Sequence, residues 1–299
     1  PVGRTAVALD ARFATVRTQE SNVGNYVADA LRRSVGARVA LLNAGTLRAD
    51  RILGPGLLIN RDLLSLLPIV DETLVLRVSG ATLHQCLENG LGALPRLEGR
   101  WPCLSGLRCA FDASKPAGAR LVPGSLCILT ADGTGWEPLD LFATYSLATK
   151  AYLADGKDGY TMLRGAAVLI DREQAPLLAT AVRNELADQS FAFGEASASP
   201  FSPGKRRQHR WQPGSDCWDD KENSRGPEVE RLGASSGEAF PQAGSAASPP
   251  RARRCGALAT PDGICPCIDG RIRRVDLETY PPRPSSPALE TMGWLRVRV

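Results

Sequence analysis

From about residue 190 to residue 262 the sequence changes character, and that change limits what the rest can build. The stretch carries SASPFSPGKRRQHRWQPGSD and GASSGEAFPQAGSAASPPRARR, dense in Ser, Pro, Gly, Ala and charges of both signs. Few branched apolar side chains remain, so burial cannot offset the entropy of ordering such a segment. It is expected to be a disordered, low-complexity insertion over 190–262. Beyond it, ICPCIDGRIRRVDLE regains apolar positions at Ile264, Ile268, Ile272 and Val275, the pattern of a strand. A packed core must therefore come from residues 1–189, closed by a strand over 263–278, with 279–299 as a tail.

Within 1–189 the hydrophobic period switches repeatedly between two and 3.6. RTAVALDARFATVR (4–17) alternates in part and predicts a strand. SNVGNYVADALRRSVG predicts a helix: Ser21 and Asn22 are capping residues, Val23, Val27, Ala30 and Leu31 recur at helical spacing, and Gly36 ends it. Strands are expected at 38–42, 73–78, 107–112 and 125–130. Further helices are expected at 61–67 with Asn60 as cap, after Ser79 up to Gly90, and over 174–188 with Pro176 in the first turn. YSLATKAYLA (145–154) starts as a strand and turns helical before Gly156. The fold class is mixed α/β, a layered sheet-and-helix domain.

Bulk properties exclude several functions. A net charge of +4 over 299 residues is slight, so neither nucleic acid nor a membrane surface is the expected partner. No apolar run approaches the roughly 18 residues of a membrane span. Eight cysteines are scattered, and Cys265-Pro-Cys267 is tighter than the usual redox or zinc spacing. Only two histidines occur, His84 and His209, too few for the ligand set of a dimetal hydrolase. The chain opens on Pro1 with no signal-like segment after it, which reads as a fragment or processed chain of unassigned compartment.

Two glycine-rich bends hold the candidate functional residues. LLNAGTLRAD (41–50) places Asn43, Gly45 and Arg48 after a short apolar run; AYLADGKDGY (151–160) places Tyr152, Asp158 and Gly159 around a second bend. Asn43 and Asp158 have a plain turn reading, since Asn and Asp bond their own backbone and tolerate left-handed conformations, and Arg48 has a plain reading as a solvated side chain. The other reading is a pocket assembled from both loops. Asp62, Asp71 and Glu72 lie at element edges, and His84 lies mid-helix; all four are read as structural.

Taken together, SNVGNYVADALR, LLNAGTLRAD, LLSLLPIVDETLVLRVSGATLHQCLENGL, GRWPCLSGLRCAFDASKPAGARL and YSLATKAYLADGKDGYTML resemble, in order and separation, the C-terminal domain of the 5'-nucleotidase family. The resemblance covers residues 5 to about 188 and extends to PCIDGRIRRV (266–275), similar to that family's closing P-x-V-E-G-R-I strand. It implies a substrate-binding domain that works beside an N-terminal calcineurin-like metallophosphoesterase domain holding two divalent metal ions. The motifs of that catalytic half are absent from these 299 residues. No catalytic or metal-binding residue is therefore expected here, and this chain alone is expected to hydrolyse nothing.

The resemblance also implies roles. Asn43 matches the Asn of the family's N-G-G-x-x-R loop, which contacts the base edge, and Arg48 matches its Arg, on the sugar or phosphate side. Asp158 matches the Asp of G-G-D-G-[YF], which accepts from the ribose, and Tyr152 takes the place of an aromatic that stacks on the base. Three departures stand out: Asn43-Ala44-Gly45 for N-G-G, Gly156-Lys157-Asp158-Gly159 for G-G-D-G, and Ile69 in Leu67-Pro68-Ile69 where the family has a second aromatic. The expected function is substrate recognition in the hydrolysis of a nucleotide or related phosphate ester. Alternatives are a sugar-phosphate phosphatase domain, a non-catalytic binding module, and an interaction protein using KRRQHRW and PPRARR.

Overall fold

The computed structural model describes residues 1–194, 258–260 and 263–275. Strands β1 (Gly3–Thr5) and β2 (Leu9–Asp10) lead through a single-turn helix α1 (Phe13–Val16) into helix α2 (Asn22–Ser34). β3 (Val39–Asn43) follows, then β4 (Ile52–Leu53), β5 (Gly56–Leu58) and helix α3 (Asn60–Leu66). β6 (Thr73–Ser79) and helix α4 (Gly80–Leu91) precede β7 (Pro102–Ser105), β8 (Leu107–Phe111), β9 (Cys127–Leu129) and β10 (Trp136–Pro138). β11 (Thr144–Lys150) runs directly into a one-turn helix α5 (Ala151–Ala154), then β12 (Ala167–Ile170) and helix α6 (Leu178–Gly194). β13 (Leu258–Thr260), β14 (Gly263–Cys265) and β15 (Ile272–Arg274) complete the described chain.

The central layer is a five-stranded sheet in the order β12-β6-β11-β3-β7. Its one parallel pair is β3 with β11, in the register Leu147 to Val39 and Ala148 to Ala40. All five residues of β3 are buried, as a strand covered on both faces requires. α2 packs on β3, β7 and α6. It buries Val23, Tyr26, Val27, Ala30 and Leu31, each contributing about 1.5–3 kcal/mol if large and apolar. Ser21 caps it, its hydroxyl accepting from the Gly24 N–H at 3.1 Å.

Residues 263–275 return to the body of the domain. β14 pairs in parallel with β1, and β15 in parallel with β8. The link is ionic as well as backbone. Arg271 donates to both carboxylate oxygens of Asp29 on α2, at 2.8 and 2.9 Å, and to the Leu104 carbonyl at 2.7 Å. Arg271 and Asp29 are both buried. Glu20, also buried, accepts from the N–H groups of Asp269 and Ile272 and from Asn25 Nδ2.

Several local expectations are corrected. Residues 4–17 do not form one strand, because the Asp10 carboxylate accepts from the Arg12 N–H and the Thr15 hydroxyl and turns the chain into α1. Asn60 is the first residue of α3 rather than its cap; the Asp62 carboxylate accepts from the Ile59 N–H at 3.0 Å and closes that end. α6 begins after Pro176, since Asp171 holds the Glu173 and Gln174 N–H groups in a separate turn. The strand expected over 263–278 is two strands, broken where Gly270 takes φ +80°. Residues 276–278, and most of the insertion expected over 190–262, lie outside the described residues.

Two outcomes follow for stability. Arg271→Met leaves the buried Asp29 carboxylate without its main partner and is expected to cost about 3–5 kcal/mol in urea unfolding; a loss under about 1 kcal/mol contradicts this account of the cluster. Burial, opposed by the Asn25 hydrogen bond, pushes the Glu20 carboxyl above its usual 4.5. The native state then holds a proton that the unfolded chain releases, so this contribution is full below the unfolded pKa and is lost as pH rises through the folded value. The stability of the wild type relative to Glu20→Gln is expected to fall on going from pH 4 toward neutrality; a rise overturns the assignment.

Candidate functional site

The register of β3 against β11 decides where the two bends meet. Leu147 lies opposite Val39 and Ala148 opposite Ala40, so the ends of β3 and β11 run out of the sheet side by side. Both chains leave the sheet at the carboxyl ends of neighbouring parallel strands, the edge at which open α/β sheets gather ligand loops. Asn43 ends β3 and Tyr152 sits in the turn just after β11.

Asp158 joins the two bends. Its Oδ2 accepts from Asn43 Nδ2 at 2.7 Å and its Oδ1 from the Tyr152 hydroxyl at 2.9 Å. Its backbone carbonyl accepts from Asn89 Nδ2, at the end of α4, at 3.0 Å. Asn43 is buried, and its own Oδ1 accepts from the Thr46 hydroxyl at 3.0 Å. The amide therefore cannot swing away without breaking two bonds. Burial, reinforced by the bond to Asp158, raises the Tyr152 phenol above its ordinary pKa, so the hydroxyl is a donor at neutral pH.

Glycines let the layers close. The Gly45 N–H donates to the Gly99 carbonyl at 2.8 Å, and a Cβ at Gly45 would stand 2.9 Å from Asn43 Nδ2 and 3.2 Å from Gly99 Cα. Gly159 has φ +80°, and a Cβ there would stand 2.5 Å from Asn89 Oδ1.

Arg48 is exposed, its N–H held by the Leu66 carbonyl at 2.9 Å. Its charge reaches Arg17, which sequence reasoning passed over. Burial, and next the Arg48 charge, pull the Arg17 guanidinium below its usual pKa, while Asp50 and Asp158 oppose them. Arg17 packs over the Phe13 ring at 3.9 Å and donates Nη1 to the Leu97 carbonyl at 3.1 Å; its buried Nε has no hydrogen-bond partner among the described residues. Ile69 is 43% exposed, and its carbonyl accepts from the Asp71 N–H at 3.0 Å. Asp71, read from sequence as an edge carboxylate, is instead buried against Lys150 at 3.1 Å. Asn89, Gly99 and Lys150 were also missed. None of them carries a local spacing signal, because each acts across the fold.

Among the described residues, no group of three or more His, Cys, Asp or Glu side chains could hold a metal ion, and no helix is long and apolar enough to cross a membrane. A dimetal centre does not fit the described residues.

The fold and the cluster define a mixed α/β domain with polar loops gathered at one sheet edge. The chain belongs to the 5'-nucleotidase C-terminal domain family, whose model matches residues 1–165. It is similar to the trifunctional nucleotide phosphoesterase protein YfkN of Bacillus subtilis (strain 168), with 30% identity over 169 residues, 55% of this chain and 11% of that protein. It is 28% identical to the snake venom 5'-nucleotidase of Naja atra over 176 residues, 55% of this chain and 33% of that protein. Among solved structures, it matches a 5'-nucleotidase precursor from Thermus thermophilus with a TM-score of 0.58 and 31% identity, over 63% of this chain and 36% of that one. The chain thus spans about a third or less of the length of these relatives.

Gly159→Ala forces a side chain into the left-handed region and against Asn89. It is expected to cost about 1–3 kcal/mol in thermal or urea unfolding. A variant as stable as the wild type contradicts the packing described around Asp158.

Proposed function

We propose that this chain is the substrate-recognition part of a metal-dependent, 5'-nucleotidase-like phosphoesterase, binding a nucleotide or related phosphate ester. The observation that carries the reading is the convergence of Asn43 and Tyr152 on the Asp158 carboxylate. An ionised carboxylate offers about four lone-pair sites. The two donors use two of them, leaving acceptors for the hydroxyls of a ribose. Asn43 then reads the base edge, the Tyr152 ring stacks on the base, and Ile69 forms the facing wall. Gly45 and Gly159 allow close approach, and Arg48 with Arg17 faces the anionic side. The nucleotide phosphoesterase and 5'-nucleotidase named above support the ester class.

On this reading the hydrolytic chemistry, with its two divalent metal ions, resides in an N-terminal metallophosphoesterase domain. The residues described here bind and orient, which lowers the entropic part of the barrier. The same reading takes 190–262 as an insertion into one domain, supported by the pairing of β14 with β1 and β15 with β8. A second reading, a sugar-phosphate ligand, is favoured by the aliphatic Ile69 in place of a second stacking ring.

Titration calorimetry of the chain with AMP tests the proposal. Asp158→Ala and Tyr152→Ala are each expected to weaken binding about tenfold, the scale of one charge-assisted hydrogen bond or one base stack. Unchanged affinity in both variants removes the site assignment. Saturable binding of ribose 5-phosphate with none of AMP moves the conclusion to the second reading.

A further inference from the structure

We propose that Lys150 and Asp71 form a buried brace that positions the Tyr152 ring and fixes its separation from the Ile69 segment, making the pair a specificity-determining element. The proposal rests on the substrate-recognition reading and adds residues that reading does not use.

Lys150 is the last residue of β11, and its ammonium lies 3.1 and 3.2 Å from the two carboxylate oxygens of Asp71. The two side chains are only 4% and 9% exposed. The same ammonium stands 5.0 Å from the centroid of the Tyr152 ring, within the range of a cation–π contact. Tyr152 is otherwise 42% exposed, with its hydroxyl fixed on Asp158. One end of the ring is thus anchored by a hydrogen bond, and a buried cation holds the ring itself.

Asp71 carries the other half of the argument. Its N–H donates to the Ile69 carbonyl at 3.0 Å, so the carboxylate bound to Lys150 is tied to the backbone that presents Ile69. A second tie runs alongside, from the Ala151 N–H to the Glu72 carbonyl at 2.9 Å. The segment that carries Ile69 and Asp71 and the start of α5 that carries Tyr152 are therefore tied together through the backbone as well as through the ion pair. On the sheet face that carries Lys150, the neighbouring positions Val75 and Ala148 are apolar and buried. An apolar pair would suit that environment at lower desolvation cost than an ion pair. The charge is accounted for by what it does to the ring: it holds Tyr152 for stacking against a flat aromatic ligand.

The test is calorimetry on the 299-residue chain with two probes, AMP, which has a base to stack, and ribose 5-phosphate, which has none. Lys150→Met/Asp71→Leu removes both charges, so folding does not depend on an unpaired buried carboxylate. This double variant is expected to lose about tenfold in AMP affinity and less than about twofold for ribose 5-phosphate. Lys150→Arg, which keeps a cation over the ring, is expected to retain the preference between the probes. An AMP affinity that does not change, or an equal loss for both probes, overturns the brace while leaving the site reading intact. A double variant that does not fold, by circular dichroism, marks the pair as a structural element only and also overturns it. A wild type that binds neither probe removes the site reading, and the brace with it.

Discussion

The parallel pairing of β3 with β11 is the constraint on which the rest depends. Asn43 and Asp158 are separated by 115 positions in sequence, yet their side chains meet at 2.7 Å. Because side chains alternate with a period of two, a slip of one residue in that pairing would turn Asn43 to the opposite face. The register is held from both sides. β6 pairs with β11 along seven successive residues, and β7 pairs with β3 along four. The cluster inherits its position from the best-paired part of the sheet.

A second constraint operates from the far end of the chain. Arg271 and the Glu20 carboxylate bind the closing segment to α2 and to the loop before it. Arg17, whose charge acts on Arg48 and Asp158, lies three residues before Glu20. Arg17 and the Glu20 carboxylate that binds the closing segment thus share one short piece of backbone. A buried ion pair contributes little net stability over apolar packing, but removing one partner is costly. Its effect here is to fix a geometry: the Arg271 guanidinium also reaches the Leu104 carbonyl of β7, so α2, the closing segment and the central sheet meet at one side chain.

Much of the fold was legible because helices and strands with one dominant period announce themselves. α2 and α4 follow their caps and apolar spacing, and β3, β6 and β8 follow their apolar runs. The failures share a cause. Asp10, Asp62 and Asp171 bind nearby N–H groups and set element boundaries through local polar chemistry, which hydrophobic period does not report. For the candidate site, the resemblance singled out residues on the two loops, and the structure brings Asn43, Tyr152 and Asp158 together. Asn89, Gly99 and Lys150 stayed hidden because their contacts are long-range. Lys150 looks like any strand-end lysine until Asp71, 79 residues away, is found against it.

The loop around Asp158 shows why such a site needs its glycines. Gly156, Asp158 and Gly159 all have positive φ, at 77°, 52° and 80°. Glycine adopts that region freely, whereas an aspartate there is strained by an amount on the order of 1 kcal/mol. Three hydrogen bonds hold Asp158 in place, two to its carboxylate and one to its carbonyl. Only the carbonyl bond from Asn89 is independent of the carboxylate. The left-handed conformation at Asp158 is thus held from both its side chain and its backbone, by partners on three different parts of the chain.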